Sequence, residues 1–355
     1  LRDQNFFDQY GIERRHEKAA MIDVPNRSLQ LASGEILEPD SVLIATGGVP
    51  QQLETAGVWL DGVHTLRTWE DSERIIRSAK GKRRAVVVGA SFIAMETAAA
   101  LRERDLEVTV IAPEDKPFSD VLGPEIADFI RQLHEKHGVQ FKLGRTVRRF
   151  LGNQRLQSIE LDDESSIDAD MVVVGIGIRP ATGVVKGASL NPDGSVDVDS
   201  RLRVDAGVYA AGDIARYPDP WLEEPVRIEH WRLAQQQGRV AAENMLGHDV
   251  AFRKVPFFWT RHYDVSIGYA GFAPKWDRTI LAGSIEDQQF TVYFNLNGQI
   301  VAAAGTDVNE LTAFSELRQR DRLPDPDQLT TADSHQLLQM LQGEHVTTAS
   351  HHSPG

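Results

Sequence analysis

Apolar and polar positions alternate along the first two thirds of the chain in a way that predicts strands and helices in turn. Apolar runs typical of buried strands occupy residues 85–88, 108–111 and 171–174. Segments with helical character lie between them at 93–104 and 123–136. Because strands that alternate with helices pair in parallel, this region predicts an α/β sheet covered on both faces.

The pattern changes after Pro256, where strands follow one another without intervening helices. Asn297-Gly298 is a strong signal for a tight hairpin turn, and residues 308–319 have helical periodicity. The sequence therefore predicts a C-terminal antiparallel α+β domain, with strands at 264–269, 279–285, 290–295 and 299–304.

The turn after the first buried strand has the features of a dinucleotide fingerprint. It runs through Gly89, Ser91, Phe92 and Ile93 to Ala94 and opens an Ala-rich helix. Gly89 permits the tight turn, a small residue at 91 lets a pyrophosphate approach the helix N-terminus, and Ala94 allows close helix–strand packing. We favour nucleotide binding here over the alternative, a strand–helix turn that holds no ligand.

The acidic residue that usually holds the adenosine ribose is missing from the end of the next strand. Ala112 stands there, and Glu114 in the following loop is the candidate to replace it. No arginine follows directly to favour a 2′-phosphate, although Lys116 is close. The sequence thus favours NAD over NADP and leaves the choice open.

Composition narrows the classes of function. The net charge of -14 argues against a nucleic-acid partner, and the absence of cysteine excludes a thiolate metal site or a redox disulfide in these 355 residues. Electron transfer would therefore need a bound organic cofactor. No apolar run approaches the roughly 20 residues that span a membrane, so no membrane association and a cytoplasmic location are expected.

Two further turns follow apolar strands far apart in the sequence. One holds Thr46 and Gly47, and the other holds Gly212 and Asp213. Together they flank the central strand–helix region and resemble the pyridine-nucleotide flavin reductases. That resemblance implies that Asp213 contacts FAD, whereas the plain structural alternative is an aspartate that caps a turn.

Three more segments extend the resemblance to the ferredoxin-reductase-like and apoptosis-inducing-factor-like branch, in its Rieske-associated form. Gly177 lies in a segment that the family places beside the nicotinamide. The Glu229-His230-Trp231 segment opens a helix that the family places at the pyrimidine end of the flavin. Trp259 lies in a segment similar to one that the family places near the flavin. The alternatives are a buried strand and turn, a helix cap, and core packing.

The resemblance implies the domain organisation. We predict an incomplete FAD-binding domain over residues 1–73 and 203–250, an inserted NAD-binding domain over 74–202, and a C-terminal domain over 251–322. Residues 323–355 are predicted to be a linker and a mobile tail. The family's FAD domain opens with its own glycine-rich turn and ribose-binding acid, which these residues do not supply. The sequence is therefore expected to be truncated at its N-terminus and to hold FAD weakly or not at all.

The implied function is transfer of a hydride from NAD(P)H to FAD and then of electrons to an iron–sulfur acceptor, such as a ferredoxin or a Rieske-type domain. No catalytic side chain and no metal are required, because the cofactors carry the chemistry. A homodimer is possible. The alternative is a non-enzymatic NAD-binding or signalling protein without a working FAD site. The final acceptor and the oligomeric state stay open.

Overall fold

The computed structural model of the chain describes residues 2–222, 224–332 and 334–342. Its helices are α1 Gln4–Gln9, α2 Trp69–Ala79, α3 Phe92–Arg102, α4 Ser119–Lys136, α5 Trp231–Met245, α6 Val308–Gln319, α7 Pro326–Thr331 and α8 Ser334–Gln342. Its strands are β1 Ala19–Asp23, β2 Ser28–Leu31, β3 Ile36–Leu37, β4 Val42–Ile44, β5 Gly48–Pro50, β6 Val63–Thr65, β7 Arg84–Val88, β8 Glu107–Ala112, β9 Gln140–Leu143, β10 Val147–Gly152, β11 Leu156–Leu161, β12 Ser166–Asp168, β13 Met171–Val174, β14 Ile178–Pro180, β15 Val185–Lys186, β16 Val196–Asp197, β17 Arg203–Asp205, β18 Val208–Ala210, β19 Ala215–Pro218, β20 Pro225–Val226, β21 Phe257–His262, β22 Val265–Gly271, β23 Arg278–Ser284, β24 Gln289–Leu296 and β25 Gln299–Gly305.

The chain divides into two compact units. Residues 1–48 and 180–252 form the first unit, and residues 49–179 and 253–355 form the second. No helix of the described residues is both long enough and apolar enough to cross a membrane.

A parallel sheet with the strand order β6-β13-β7-β8-β9 forms the core of the second unit. Its central strand β7 is buried along nearly its whole length, as Ala85 to Val87 are at most 1% exposed. Helix α3 connects β7 to β8 and buries its alanine-rich face. This confirms the predicted Rossmann-like fold, in which the apolar run at 85–88 is a central parallel strand.

The limits of this sheet differ from those predicted for the NAD-binding domain, which were residues 74 and 202. Strand β6 pairs with β13 although it lies before residue 74. Strands β15 and β16 lie before residue 202 but pair with β1 and β19 of the first unit. Such strands have only two or three residues, and a pattern so short carries no periodicity that could assign it to a sheet.

The C-terminal part of the second unit contains an antiparallel sheet with the order β21-β22-β25-β24-β23, as the α+β prediction requires. Asn297 and Gly298 have φ angles of 52° and 80° and connect β24 to β25 in the tight turn that their sequence predicts. Strand β21 was not predicted as a strand, because its consecutive bulky residues do not alternate with polar ones.

Two helices follow where the sequence predicts a linker and a mobile tail. Asp325 caps α7 by accepting a hydrogen bond from the backbone of Gln328, and Pro326 occupies the first turn. Leu329 of α7 and Leu337 of α8 are fully buried in a cluster with Phe314. The prediction is thus wrong for residues 326–331 and 334–342, while residues from 343 onward lie outside the described residues.

The first unit is built from short strands around α5. Strands β4 and β18 run parallel, with Ile44 beside Ala210 at their ends. Helix α5 begins after its N-cap His230, as the sequence predicts, and buries Leu233, Gln237 and Ala241.

Candidate functional site

The turn between β7 and α3 leaves no space for a side chain at its first position. Gly89 has a φ of 106°, and a Cβ built on it would lie 2.4 Å from the carbonyl oxygen of Gly175 at the end of β13. Its N–H donates to the carbonyl of Ile111 on β8 at 2.8 Å. Gly89 therefore joins the ends of three adjacent strands, and only glycine combines this backbone conformation with this close approach.

The N-terminus of α3 is capped by Ser91. The Ser91 hydroxyl donates to the carbonyl of Gly175 at 2.8 Å and accepts the N–H of Ala94 at 3.4 Å. The following backbone N–H groups, of Phe92 and Ile93, lie too early in the helix for an intrahelical partner. They are the groups that a helix N-terminus offers to an anion.

This helix N-terminus lies where the strand order of the parallel sheet reverses. The chain passes from β7 through α3 to β8 on one side, whereas β13 and β6 lie on the other side of β7. Ligands of open α/β sheets bind at the carboxyl ends of the strands at such a reversal. The predicted Gly177 also lies here, with a φ of 99°, and accepts the N–H of Gln51 at 3.0 Å.

Phe92 has a packing role that the sequence did not indicate. Its ring stacks on Phe118 with the centroids 4.8 Å apart and contacts Phe258 edge-on at 5.4 Å. The side chain of Ile93 is instead 37% exposed. Phe92 thus connects the start of α3 to Phe258 on β21.

The end of β8 brings together charged residues that are distant in sequence. Glu114 is exposed, and Lys116 pairs with Asp128 at 2.8 Å. The N–H of Arg145 donates to the carbonyl of Ala112 at 3.1 Å, which places this arginine at the strand end. Its guanidinium pairs with Asp163 at 2.8 Å. Arg145 could not be predicted as part of this site, because its contact with Ala112 depends on the turn after β9.

A cleft opens beside α3 on the side of β6. Its lining includes Leu66, Arg67, Ile93, Glu96 and Ala100. Glu96 was not a predicted site residue, although an acid on the exposed face of an otherwise apolar helix is a detectable signal. Its Oε1 accepts the hydroxyl of Thr260 at 2.7 Å and the N–H of Arg261 at 3.2 Å.

The first unit brings the two other predicted turns side by side. Thr46 and Gly47 leave β4, and Gly212 and Asp213 leave the adjacent β18, because these strands are parallel and in register. Gly47 and Gly212 have φ angles of 67° and 80°. Thr46 is exposed, whereas Asp213 is 8% exposed.

Helix α5 supports the turn at Gly212. The N–H of Gly212 donates to Oε1 of Gln237 at 2.8 Å, and a Cβ on Gly212 would lie 3.3 Å from the Cβ of Ala234. The Gln237 side chain is fully buried, and its Nε2 has no hydrogen-bond partner among the described residues. A buried donor without a partner is costly, so a ligand oxygen at this position would stabilise the site.

The predicted residues at the start of α5 have distinct surroundings. Nδ1 of His230 accepts the N–H of Arg232 at 3.3 Å, which completes the helix cap. Burial lowers the pKa of His230, with Arg232 adding to this effect and Asp213 opposing it. Trp231 is 61% exposed, and Glu229 pairs with Arg227 at 2.7 Å.

Trp259 stands on β21 in the second unit, and its side chain is 43% exposed. The structure thus groups the other predicted residues into two sets, one at the carboxyl ends of the parallel strands near the start of α3 and the other at the ends of β4 and β18 near α5. An exposed Trp259 is not the fully packed core residue that the structural alternative requires.

Comparisons with known proteins match most of the chain to two described families. Residues 6–238 match the family described as pyridine nucleotide-disulphide oxidoreductase, and residues 257–341 match the family described as reductase C-terminal. The chain is 34% identical over 319 residues to apoptosis-inducing factor 3 of Mus musculus, covering 88% of this chain and 53% of that protein. It therefore spans about half the length of that relative.

A bacterial enzyme component and two solved structures are similar over more of their length. The ferredoxin–NAD(+) reductase component of an anthranilate 1,2-dioxygenase system from Burkholderia cepacia is 31% identical, covering 93% of this chain and 82% of that protein. A ferredoxin reductase from Rhodopseudomonas palustris superposes with a TM-score of 0.90 at 26% identity, over 96% of this chain and 85% of that one. Putidaredoxin reductase in its covalent complex with putidaredoxin gives 0.89 at 25% identity, over 97% and 85% of the two chains.

Proposed function

Because the chain belongs to the pyridine nucleotide-disulphide oxidoreductase family, we propose that it takes part in electron transfer from NAD(P)H through FAD to an iron–sulfur protein. The observation that carries this proposal is the glycine-lined turn of Gly89 and Gly175 at the N-terminus of α3. We assign the parallel sheet of the second unit to NAD(P)H and the first unit to FAD.

The residues at the end of β7 fit a dinucleotide. A Cβ on Gly175 would lie 3.0 Å from the Cβ of Ala94, so helix and strand pack closely enough to hold the turn rigid. The amides of Phe92 and Ile93 would bind the pyrophosphate. The adenosine would lie toward β8 and Glu114, and the nicotinamide toward β13 and Gly177.

The first unit fits the flavin side of FAD. The turn at Gly212 and Asp213 lies beside the unpartnered Nε2 of Gln237, and a flavin or ribityl oxygen would satisfy that donor. The N-terminus of α5 at His230 and Trp231 would stabilise negative charge on the pyrimidine end. Thr46 and Gly47 of the neighbouring turn would complete this wall.

When bound, FAD accepts a hydride and releases electrons singly, which suits an acceptor that takes one electron at a time. The ferredoxin reductase names of the relatives support an iron–sulfur acceptor. We propose a ferredoxin or a Rieske-type domain, and a homodimer as the assembly. The chain's own part is to bind and orient the two cofactors, because these residues contain no cysteine that could form a redox disulfide.

Anaerobic mixing tests the proposed function. The protein is combined with excess FAD and with NADH, and the visible flavin absorbance is followed before and after oxidised ferredoxin is added. We expect flavin bleaching well above that of free FAD, followed by reduction of the ferredoxin. A protein that binds NADH in calorimetry yet leaves the flavin oxidised would instead be the non-enzymatic NAD-binding protein.

Coenzyme choice gives a second expected result: NADH binds at least as tightly as NADPH. Lys116 and Arg145, the cations at the end of β8, already pair with Asp128 and Asp163, and the exposed Glu114 repels a 2′-phosphate. Calorimetric titration with each coenzyme measures this. Tight NADPH binding together with undetectable NADH binding would contradict the assignment.

A further inference from the structure

A chain of hydrogen bonds runs through the interior of the second unit and ends at the cleft. It consists of Glu96, Thr260, His262, His134 and Tyr263, and we call it the Glu96–Tyr263 chain. Thr260 Oγ1 lies 3.0 Å from His262 Nε2, and His262 Nδ1 lies 3.2 Å from His134 Nε2. The Tyr263 hydroxyl lies 3.5 Å from His134 Nδ1 at the other end. No part of this chain is required by the proposed hydride transfer.

The two histidines are sealed from solvent and neutral near pH 7. Their side chains are 0% exposed, and Thr260 is 2% exposed. Burial lowers the pKa of His262 to about 4, and burial together with His262 and His137 lowers the pKa of His134 to about 3. Each ring therefore carries one N–H donor and one acceptor nitrogen, and each must match its neighbours.

The carboxylate of Glu96 fixes the direction of every bond in the chain. A carboxylate can only accept, so the Thr260 hydroxyl donates to it at 2.7 Å and its oxygen is left to accept from His262 Nε2–H. His262 Nδ1 is then bare and accepts from His134 Nε2–H. His134 Nδ1 is bare in turn and faces the hydroxyl of Tyr263.

Tyr263 is held at the far end in spite of an unfavourable backbone. It follows β21 in the two-residue turn to β22 and has a φ of 57°, a region that β-carbons disfavour. Its ring stacks on His137 with the centroids 3.6 Å apart and the planes at 8°. This stacking holds the Tyr263 ring in the orientation that places its hydroxyl near His134.

The near end of the chain lies on the nicotinamide side of the proposed nucleotide site. Leu66 and Arg67 of the cleft follow β6, which lies on the opposite side of β7 from the adenosine strand β8. Glu96 is exposed in this cleft, five residues after the helix cap Ser91, or about 7.5 Å along the axis. Its Oε1 accepts hydrogen bonds from Thr260 and Arg261, so Oε2 is the carboxylate oxygen that would serve a ligand.

We propose that Thr260, His262 and His134 are positioning residues that hold the Glu96 carboxylate toward this cleft and so strengthen binding of the nicotinamide half of the dinucleotide. The inference rests on the proposed function only for the identity of the ligand. The direction of the hydrogen bonds follows from the protein alone.

Nitrogen-15 NMR of the histidine rings tests the direction in the ligand-free wild-type protein. We expect both His134 and His262 in the Nε2–H tautomer, with the signals assigned by their loss in His134→Gln and His262→Gln. An Nδ1–H tautomer or rapid interchange at either ring would overturn the proposal. Because the wild-type protein gives this answer, an unstable variant does not leave the proposal untested.

Two substitutions at Thr260 test the effect on binding. Thr260→Val keeps the shape but removes the hydroxyl, and we expect it to weaken NADH binding about tenfold and to mix the His262 tautomers. Thr260→Ser retains the hydroxyl and is expected to stay within about twofold of the wild type. A folded Thr260→Val protein with wild-type affinity would overturn the positioning role. Absence of NADH binding by the wild type would overturn the proposed function instead and leave the tautomer result standing.

Discussion

Replacing Gly89 by alanine is expected to weaken NADH binding about 10- to 100-fold, because backbone strain of about 1–3 kcal/mol would fall on the binding turn. The added Cβ would lie 2.4 Å from the carbonyl oxygen of Gly175, at a φ of 106° that alanine disfavours. The neighbouring atoms are backbone, so no side chain can rotate away. The turn must shift, and the amides of Phe92 and Ile93 shift with it. Calorimetric titration with NADH measures the loss.

Gly183→Ala provides the matched control for this substitution. A Cβ at Gly183 would meet nothing within 4 Å, and its φ is not positive. Its NADH affinity is expected to equal that of the unmodified protein. If Gly89→Ala also bound NADH with unchanged affinity, the dinucleotide would not use this turn, and the assignment of the parallel sheet to NAD(P)H would fail.

Replacing Leu337 by alanine is expected to lower the free energy of unfolding by about 2–5 kcal/mol, as deletion of a buried leucine side chain typically does. Leu337 lies on α8, is fully buried, and packs in the same cluster as Leu311, Phe314 and Leu329. Removing it leaves a cavity between α8 and α6. Urea denaturation followed by tryptophan fluorescence measures the change in midpoint.

The adjacent residue, Leu338, provides the control for the Leu337 substitution. Leu338 is 40% exposed, and Leu338→Ala should change stability by no more than about 0.5 kcal/mol. Equal and small effects at both positions would mean that α8 does not pack against α6, as the prediction of a mobile tail requires.

Long, strongly patterned elements could be predicted from the sequence. The apolar run Met171–Val174 matches β13, and the periodic segment at 308–319 matches α6, because burial of a whole strand or of one helix face leaves a clear trace. The tight turn at Asn297 and Gly298 could be predicted for a different reason. It needs a positive φ at both residues, which few other residue pairs tolerate.

The features that escaped prediction depend on contacts between distant residues. Arg145 reaches the end of β8 only through a backbone bond to Ala112, and Glu96 meets Thr260 across 164 residues of sequence. No local pattern records such a pairing. The Asp325-Pro326 pair did carry a helix-start signal, but the neighbouring prolines also suggested a linker.

The first unit is interrupted in sequence, and this affects the order in which the two units fold during synthesis. Its segments end at Gly48 and resume at Pro180, which is 180 − 48 = 132 positions later. At about 5–20 residues per second, a ribosome takes on the order of 7–26 s to cover that distance. During this interval β1 and β4 lack β15 and β18, their later partners, whereas strands β6 to β13 emerge as one uninterrupted stretch. We therefore expect the nascent parallel sheet to become protease-resistant before the first unit, which is complete only when Phe252 has left the exit tunnel.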